Sequence, residues 1–328
     1  MSRLSAAQLA RRAYKHALDP NRNPIKAAMD AASSVRAMPP MLGLFNDIPA
    51  GKLREDEAQS WALAGFSWVC NDGEHSQLGG RYGREQNACL LRQGLLPVAR
   101  LHREAVSEHG DALTTGARAT MRPYGTTLAE ADRYLRAVSY PPGTPGGATA
   151  DDRGGFPVRR GDRSLVFTPD ALRAAERGTQ GWLQFETTEY LLDEAVRDAV
   201  LARMAAEGAN KAVGFVGPFD ALMRGGHRPE MPDAINALFR AAADEHGVAM
   251  GRVVGSGAMT DPALIEDGMV EAIEHGCRLL AVHYMASDCA LLGASRMAEP
   301  FFRAARRCGF TDEQLLRVDV DARDEDVA

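Results

Sequence analysis

Glu186 and Asp220 each close a short apolar run, Trp182–Phe185 and Ala212–Val216. Two carboxylates delivered by neighbouring strand ends can share a divalent cation, with water and substrate completing an octahedron. Each could instead cap the following helix or pair with an arginine. Gln184 stands beside Glu186, and Arg100 ends another apolar run, which favours the cation site. Arg100 can grip a carboxylate or stabilise a developing enolate, or it can be spent in a buried ion pair with Asp72 or Glu74. His75 directly follows those two acids and can serve as acid or base near neutral pH. His283, beside Tyr284 after the last apolar run, is a second histidine of interest.

The lysines narrow the chemistry. Only Lys15, Lys26, Lys52 and Lys211 are present among 38 basic residues. None is placed to form an imine at the end of a strand, although Lys52 is loosely near one. A carbanion beside a carbonyl would then need a metal ion to hold its charge.

The elements that must position these groups follow from one recurring pattern. An amphipathic stretch, a glycine and a short apolar run recur at Gly65, Gly94, Gly116, Gly208, Gly247 and Gly276. Glycine after a helix accepts the left-handed closing turn, and an apolar run directly afterwards reads as a buried parallel strand. Eight strands are expected: 41–45, 66–71, 97–101, 119–122, 182–185, 212–216, 248–254 and 278–282. Helical spacing fills the gaps, with a capping box at Thr127 and Glu130 and a first-turn Pro262. The fold class is therefore α/β, a (β/α)8 barrel, with a doubly wound sheet as the alternative. A helical extension (1–40) precedes the barrel (41–309), and an acidic tail (310–328) follows. A long Pro- and Gly-rich loop stands before strand five, between residues 140 and 170.

In such a barrel the carboxyl ends of the strands carry the chemistry. That rim receives Asp72 and His75, Arg100, Arg122 and Tyr124, Gln184 and Glu186, and Gly217, Pro218, Phe219 and Asp220. The chain has 328 residues with 38 basic and 44 acidic side chains, a formal charge of −6. No domain-wide basic excess invites nucleic acid, and no apolar run is long enough for a membrane span. The five cysteines lack metal-site spacing, and Met1 to Ala10 lacks a secretory signal, so a reduced cytoplasmic setting is expected.

Six stretches, in order, resemble the HpcH/HpaI aldolases, metal-dependent pyruvate aldolases related to the citrate lyase β subunit and to macrophomate synthase. They are residues 64–75 (Ala-Gly-Phe-Ser-Trp-Val-Cys-Asn-Asp-Gly-Glu-His), 96–100 (Leu-Pro-Val-Ala-Arg) and 140–142 (Tyr-Pro-Pro). Residues 184–187 (Gln-Phe-Glu-Thr), 214–220 (Gly-Phe-Val-Gly-Pro-Phe-Asp) and 286–288 (Ala-Ser-Asp) complete the set. The resemblance implies that Glu186 and Asp220 bind Mg2+ or Mn2+, with Co2+ a further candidate. It implies that Arg100 and Gln184 contact keto-acid oxygens, that His75 is the acid/base group supported by Asp72, and that amides of Gly217 to Asp220 hold the substrate carboxylate. It also implies a homo-oligomer, a hexamer or another dimer-based assembly, in which the last helix is exchanged between neighbours.

Four departures stand out, of which the end of strand four, the insertion at His283 and the loop from Gly143 to Pro169 would sit near the substrate end. Thr114 replaces an aspartate that pairs with the histidine of a neighbouring subunit. Strand four ends in Arg122-Pro123-Tyr124, and His283-Tyr-Met285 looks inserted before Ala286-Ser287. The loop from Gly143 to Pro169 is also unlike the family's. The function expected is a metal-dependent carbon–carbon lyase acting on a 2-oxo acid and an aldehyde or other acceptor through a pyruvate enolate. An oxaloacetate decarboxylase, a macrophomate synthase-like enolate addition, an acyl-CoA lyase and a non-catalytic barrel that binds a small acid are the alternatives.

Overall fold

A computed structural model of the chain describes residues 4–18, 22–46, 52–73, 80–101, 112–113, 115–138, 178–208, 211–218, 221, 228–256, 261–284 and 293–317. Eight strands form one closed, all-parallel barrel in chain order. They are β1 Met41–Asn46, β2 Trp68–Asp72, β3 Leu96–Arg100, β4 Ala119–Arg122, β5 Gln180–Gln184, β6 Ala212–Val216, β7 Ala249–Ser256 and β8 Leu279–Tyr284. The expected (β/α)8 barrel is therefore present, and each strand lies within two residues of its expected bounds.

The surrounding helices are α3 Glu55–Ala64, α4 Gly80–Arg92, α5 Leu128–Val138, α6 Thr188–Leu192 and α7 Glu194–Ala206. They continue with α8 Met231–Arg240, which runs on into a wider π turn at 241–246, α9 Pro262–Glu274 and α10 Ala294–Arg307. Gly65 closes α3 at φ 98°, the left-handed region that the glycine pattern anticipated. The capping box of α5 forms in both directions: the Glu130 amide donates to the Thr127 hydroxyl at 3.3 Å, and the Thr127 amide donates to the Glu130 carboxylate at 3.2 Å. α10 packs between α9 and α3 of its own chain.

Two apolar layers hold the barrel. Leu42, Leu44, Val69, Leu183, Val216 and Leu280 point outward into the layer under the helices. Phe45, Trp68, Val98, Met121, Trp182 and Phe215 point inward. Inside, Trp68 meets Trp182 edge-on at 5.1 Å between ring centroids, and Trp182 stacks on Phe215 at 5.9 Å. Burying one side chain of this size stabilises the fold by about 1.5–3 kcal/mol. Gly43 makes room for the rings, because a Cβ there would stand 1.9 Å from a Trp68 ring carbon.

The amino-terminal extension covers the opposite end of the barrel from the chemistry-bearing rim. α1 Ala6–Leu18 lies on α3 and α4, and its Arg12 donates to the carbonyls of Gly94 (2.7 Å) and Phe66 (2.9 Å). α2 Pro24–Ala31 begins at Asn23, whose side chain accepts from the Lys26 amide, and Pro24 occupies the first turn. Ile25, Met29 and Met38 join the inner layer. The extension is not one continuous helix after Pro24: α2 ends at Ala31, and a separate 3-10 turn spans Val35–Ala37, capped by Ser34. At the other terminus, α11 Asp312–Arg317 begins the expected acidic tail and buries Leu315 against the outer layer. Among the described residues no helix is long and apolar enough to cross a membrane.

Candidate active site

Side-chain alternation decides which residues reach the interior. On β2, Trp68 and Cys70 face inward, so Asp72 does too; on β3, Leu96 and Val98 lead to Arg100. The register pairs Asp72 with Arg100, and the two side chains meet as a buried fork. Arg100 Nε donates to Asp72 Oδ1 at 2.8 Å, and Nη2 donates to Oδ2 at 2.5 Å. The guanidinium also lies over the Phe45 ring, 5.5 Å from its centre. Of the two readings of Arg100, the ion pair with Asp72 is present, and it stands at the carboxyl end of the strands.

β5 supplies the next two groups. Trp182 faces inward, so Gln184 and the following Glu186 share that side. Glu186 is fully buried, with 0% of its surface exposed. Its Oε1 accepts from the Tyr124 amide at 2.8 Å, and its Oε2 accepts from Gln184 Nε2 at 3.0 Å. Tyr124 reaches this position with φ 59°, which costs an ordinary residue about 1–2 kcal/mol. The loop is held from two further points: Thr187 Oγ1 donates to the Gly125 carbonyl at 2.6 Å, and the Tyr190 hydroxyl donates to that of Thr127 at 2.8 Å. The segments after β4 and β5 are thereby laced together around Glu186.

Gln184 Oε1 is buried without a hydrogen-bond partner among the described residues. Next to it is a carboxylate whose two oxygens are aligned by N–H donors. Hard oxygen donors of this kind fit a divalent cation such as Mg2+ or Mn2+. Among the described residues there is no cluster of three His, Cys, Asp or Glu side chains. Asp220, the second expected ligand, lies outside the described residues, as do His75, Phe219 and Thr114. Gly217 is buried and Pro218 half-buried at the end of β6, on the same rim.

Arg122 is not brought to the interior. Met121 faces inward and Thr120 outward, so Arg122 turns toward α5. There it donates to the Glu130 carbonyl at 2.7 Å and pairs with the Glu130 carboxylate at 3.6 Å. The structure also shows a buried amide network that the sequence reading passed over. Asn71 Oδ1 accepts from Gln86 Nε2 at 2.7 Å and from Asn46 Nδ2 at 3.2 Å, and Asn71 Nδ2 donates to Asn87 Oδ1 at 2.9 Å. It braces the carboxyl ends of β1 and β2 from behind, beside Asp72. Its signal was an asparagine at the outward position of two adjacent strand ends. Cys70, inside the barrel two residues before Asp72, is no nucleophile: burial pushes its thiol well above the usual range, although Arg100 pulls the other way.

Comparison with known proteins adds the family context. No family model matches the chain. A hydroxypyruvate/pyruvate aldolase of Cupriavidus necator is 26% identical over 290 residues, covering 86% of this chain and 95% of the relative. The protein of the same name from Roseobacter denitrificans is 27% identical over 233 residues, 70% of this chain and 80% of its own. A solved structure, an HpcH/HpaI aldolase/citrate lyase family protein from Burkholderia cenocepacia, superposes with a TM-score of 0.61 at 24% identity, covering 86% of this chain and all of that one. The resemblance to the HpcH/HpaI aldolases is borne out. These relatives support a lyase of the aldolase class.

Proposed function

We propose that this chain is a divalent-metal-dependent aldolase that makes and breaks a carbon–carbon bond beside the carbonyl of a 2-oxo acid, with pyruvate as the enolate half. The observation that carries this reading is Glu186, a fully buried carboxylate on the inner rim, aligned through both oxygens beside the unpartnered amide oxygen of Gln184. The names of the Cupriavidus and Roseobacter relatives support the same chemistry. Glu186 and Asp220 would hold Mg2+ or Mn2+, with the Gln184 amide oxygen adjoining. When bound, the ion supplies a Lewis acid that withdraws electron density from the carbonyl of the 2-oxo acid.

The chain's own residues do the rest. Asp72 fixes the plane of the Arg100 guanidinium, so its positive charge is in place before negative charge develops on the keto oxygen. Amides from Gly217 to Asp220 hold the substrate carboxylate. In cleavage, His75 accepts the hydroxyl proton of a 4-hydroxy-2-oxo acid. The C3–C4 bond breaks, its electron pair stays on the pyruvate fragment as an enolate, and the aldehyde departs. A proton then returns to C3. Addition is the same sequence reversed.

Exchange of the pyruvate methyl protons with deuterium from solvent, followed by NMR with added Mg2+ or Mn2+, tests the enolate half. The expected result is metal-dependent exchange that a chelator abolishes and that Glu186→Gln lowers by about 100-fold or more, with the circular dichroism spectrum unchanged. Exchange that persists at full rate under chelator would overturn the metal role. Carbon dioxide released from oxaloacetate without aldehyde formation from a 4-hydroxy-2-oxo acid would favour the decarboxylase instead.

A further inference from the structure

β8 contributes a polar group to the mouth that the proposed reaction has not used. Leu279 and Ala281 belong to the inner layer, so His283, next in the alternation, opens on the same side at the carboxyl end. The ladder pairs His283 with Phe45 on β1 and with Ser256 on β7. Phe45 is the ring on which the Arg100 guanidinium rests. Phe45, one strand from β8, thus stands between the imidazole and the arginine, which is itself three strands away on β3. It is half-buried and makes no hydrogen bond or ion pair with any described residue. By contrast, His275, a structural histidine on the outside, meets Arg240 at 2.9 Å.

Position on the ring assigns the ligand. The carboxylate and amide proposed to hold the 2-oxo acid stand on β5, and Arg100 stands on β3. β8 is three strands from β5 in the closed ring. His283 thus faces the molecule that joins or leaves the 2-oxo acid rather than the acid itself. A neutral imidazole offers one donor and one acceptor, the pairing a hydroxyl group can meet in full. A site built to hydrogen-bond a substrate hydroxyl discriminates against the analogue that lacks it, because the protein group is then left unpaired.

Resting on the aldolase reading, we propose that His283 hydrogen-bonds the hydroxyl of a 2-hydroxyaldehyde and so sets the choice of aldehyde. It is a specificity-determining residue, and the chemical step is left to the other groups.

The test pairs glycolaldehyde with acetaldehyde, which differ by that hydroxyl, each with pyruvate and Mg2+ or Mn2+. The wild-type protein is expected to have the higher kcat/KM with glycolaldehyde. His283→Ala should lower the ratio of the two kcat/KM values about tenfold, mainly through the glycolaldehyde KM. His283→Gln, which keeps a donor and an acceptor, should restore part of the ratio. Pyruvate proton exchange in the same samples reports the enolate half and should change far less than the ratio does. Normal exchange with an unmoved ratio overturns the proposal alone. Exchange and both aldehyde reactions falling together would make His283 part of the enolate machinery, which also overturns it. A wild-type protein with no exchange under any divalent metal overturns the aldolase reading, and this inference falls with it.

Discussion

The Asp72–Arg100 fork shows how much depends on single residues here. Both side chains are almost entirely buried, so each charge stays in the interior because the other is there. Removing one partner strands the other in a low-dielectric setting, which costs about 3–5 kcal/mol. Asp72→Asn should therefore lower the free energy of unfolding by about that amount, read from the midpoint of a urea titration. The double replacement Asp72→Leu with Arg100→Met should be more stable than Asp72→Asn, since no lone charge remains. In the sequence, Arg100 and Asp72 were legible as polar ends of apolar strands, but whether they paired was not, because that choice depends on register between strands 28 positions apart. Tyr124 was illegible in a different way. A positive φ at a tyrosine has no local signature; it is imposed by the contacts of Glu186, Thr187 and Tyr190, more than 60 positions further on. Arg122 was legible as a polar strand end, but the face it takes was not, because a four-residue strand offers little alternation from which to fix its phase.

At the scale of elements, α5 carries a pH dependence whose sign can be worked out. Burial alone would raise the Glu130 carboxyl, but the Thr126 amide and hydroxyl, the Arg122 guanidinium and the Thr127 amide outweigh it, and the pKa is depressed. A carboxylate depressed in the folded state contributes stability that is complete above its unfolded pKa of about 4.3 and is lost as pH falls through the folded value. Glu130→Gln should therefore lower the thermal midpoint at pH 7, and the gap to wild type should close below about pH 4. Melting curves at several pH values check this, and a gap that stays constant into acid would refute it. The cap itself was readable from Thr127 and Glu130, since their spacing is a purely local device. Strands were readable for the same reason, as apolar runs following a glycine. The break after Ala31 was not, because Ser34 caps a short turn whose purpose lies in distant contacts of β8 with the extension.

The whole molecule is locked at its base by Arg278, at the entry to β8. Its guanidinium donates to the carbonyls of Val35 (3.1 Å), Arg36 (2.8 Å), Ile273 (2.8 Å) and Cys277 (2.8 Å), and it lies over the Phe310 ring. Arg36 in turn forks onto Asp244 with contacts of 2.5 and 2.7 Å. Arg278→Met should cost about 3 kcal/mol or more, because several buried carbonyls lose their donor together. Hydrogen–deuterium exchange should rise first across Pro24–Ala37, the segment this residue fastens. Cys277 beside it is pushed up to about 12 by burial, so it should resist thiol reagents in the native protein and react once that base opens.

Among the described residues, α2 and the 3-10 turn stopper one pole of the cylinder with Ile25, Met29 and Met38. A molecule heading for the Asp72–Arg100 fork from that side would have to dislodge this plug and expose its apolar side chains to water, a toll that discourages passage through that pole.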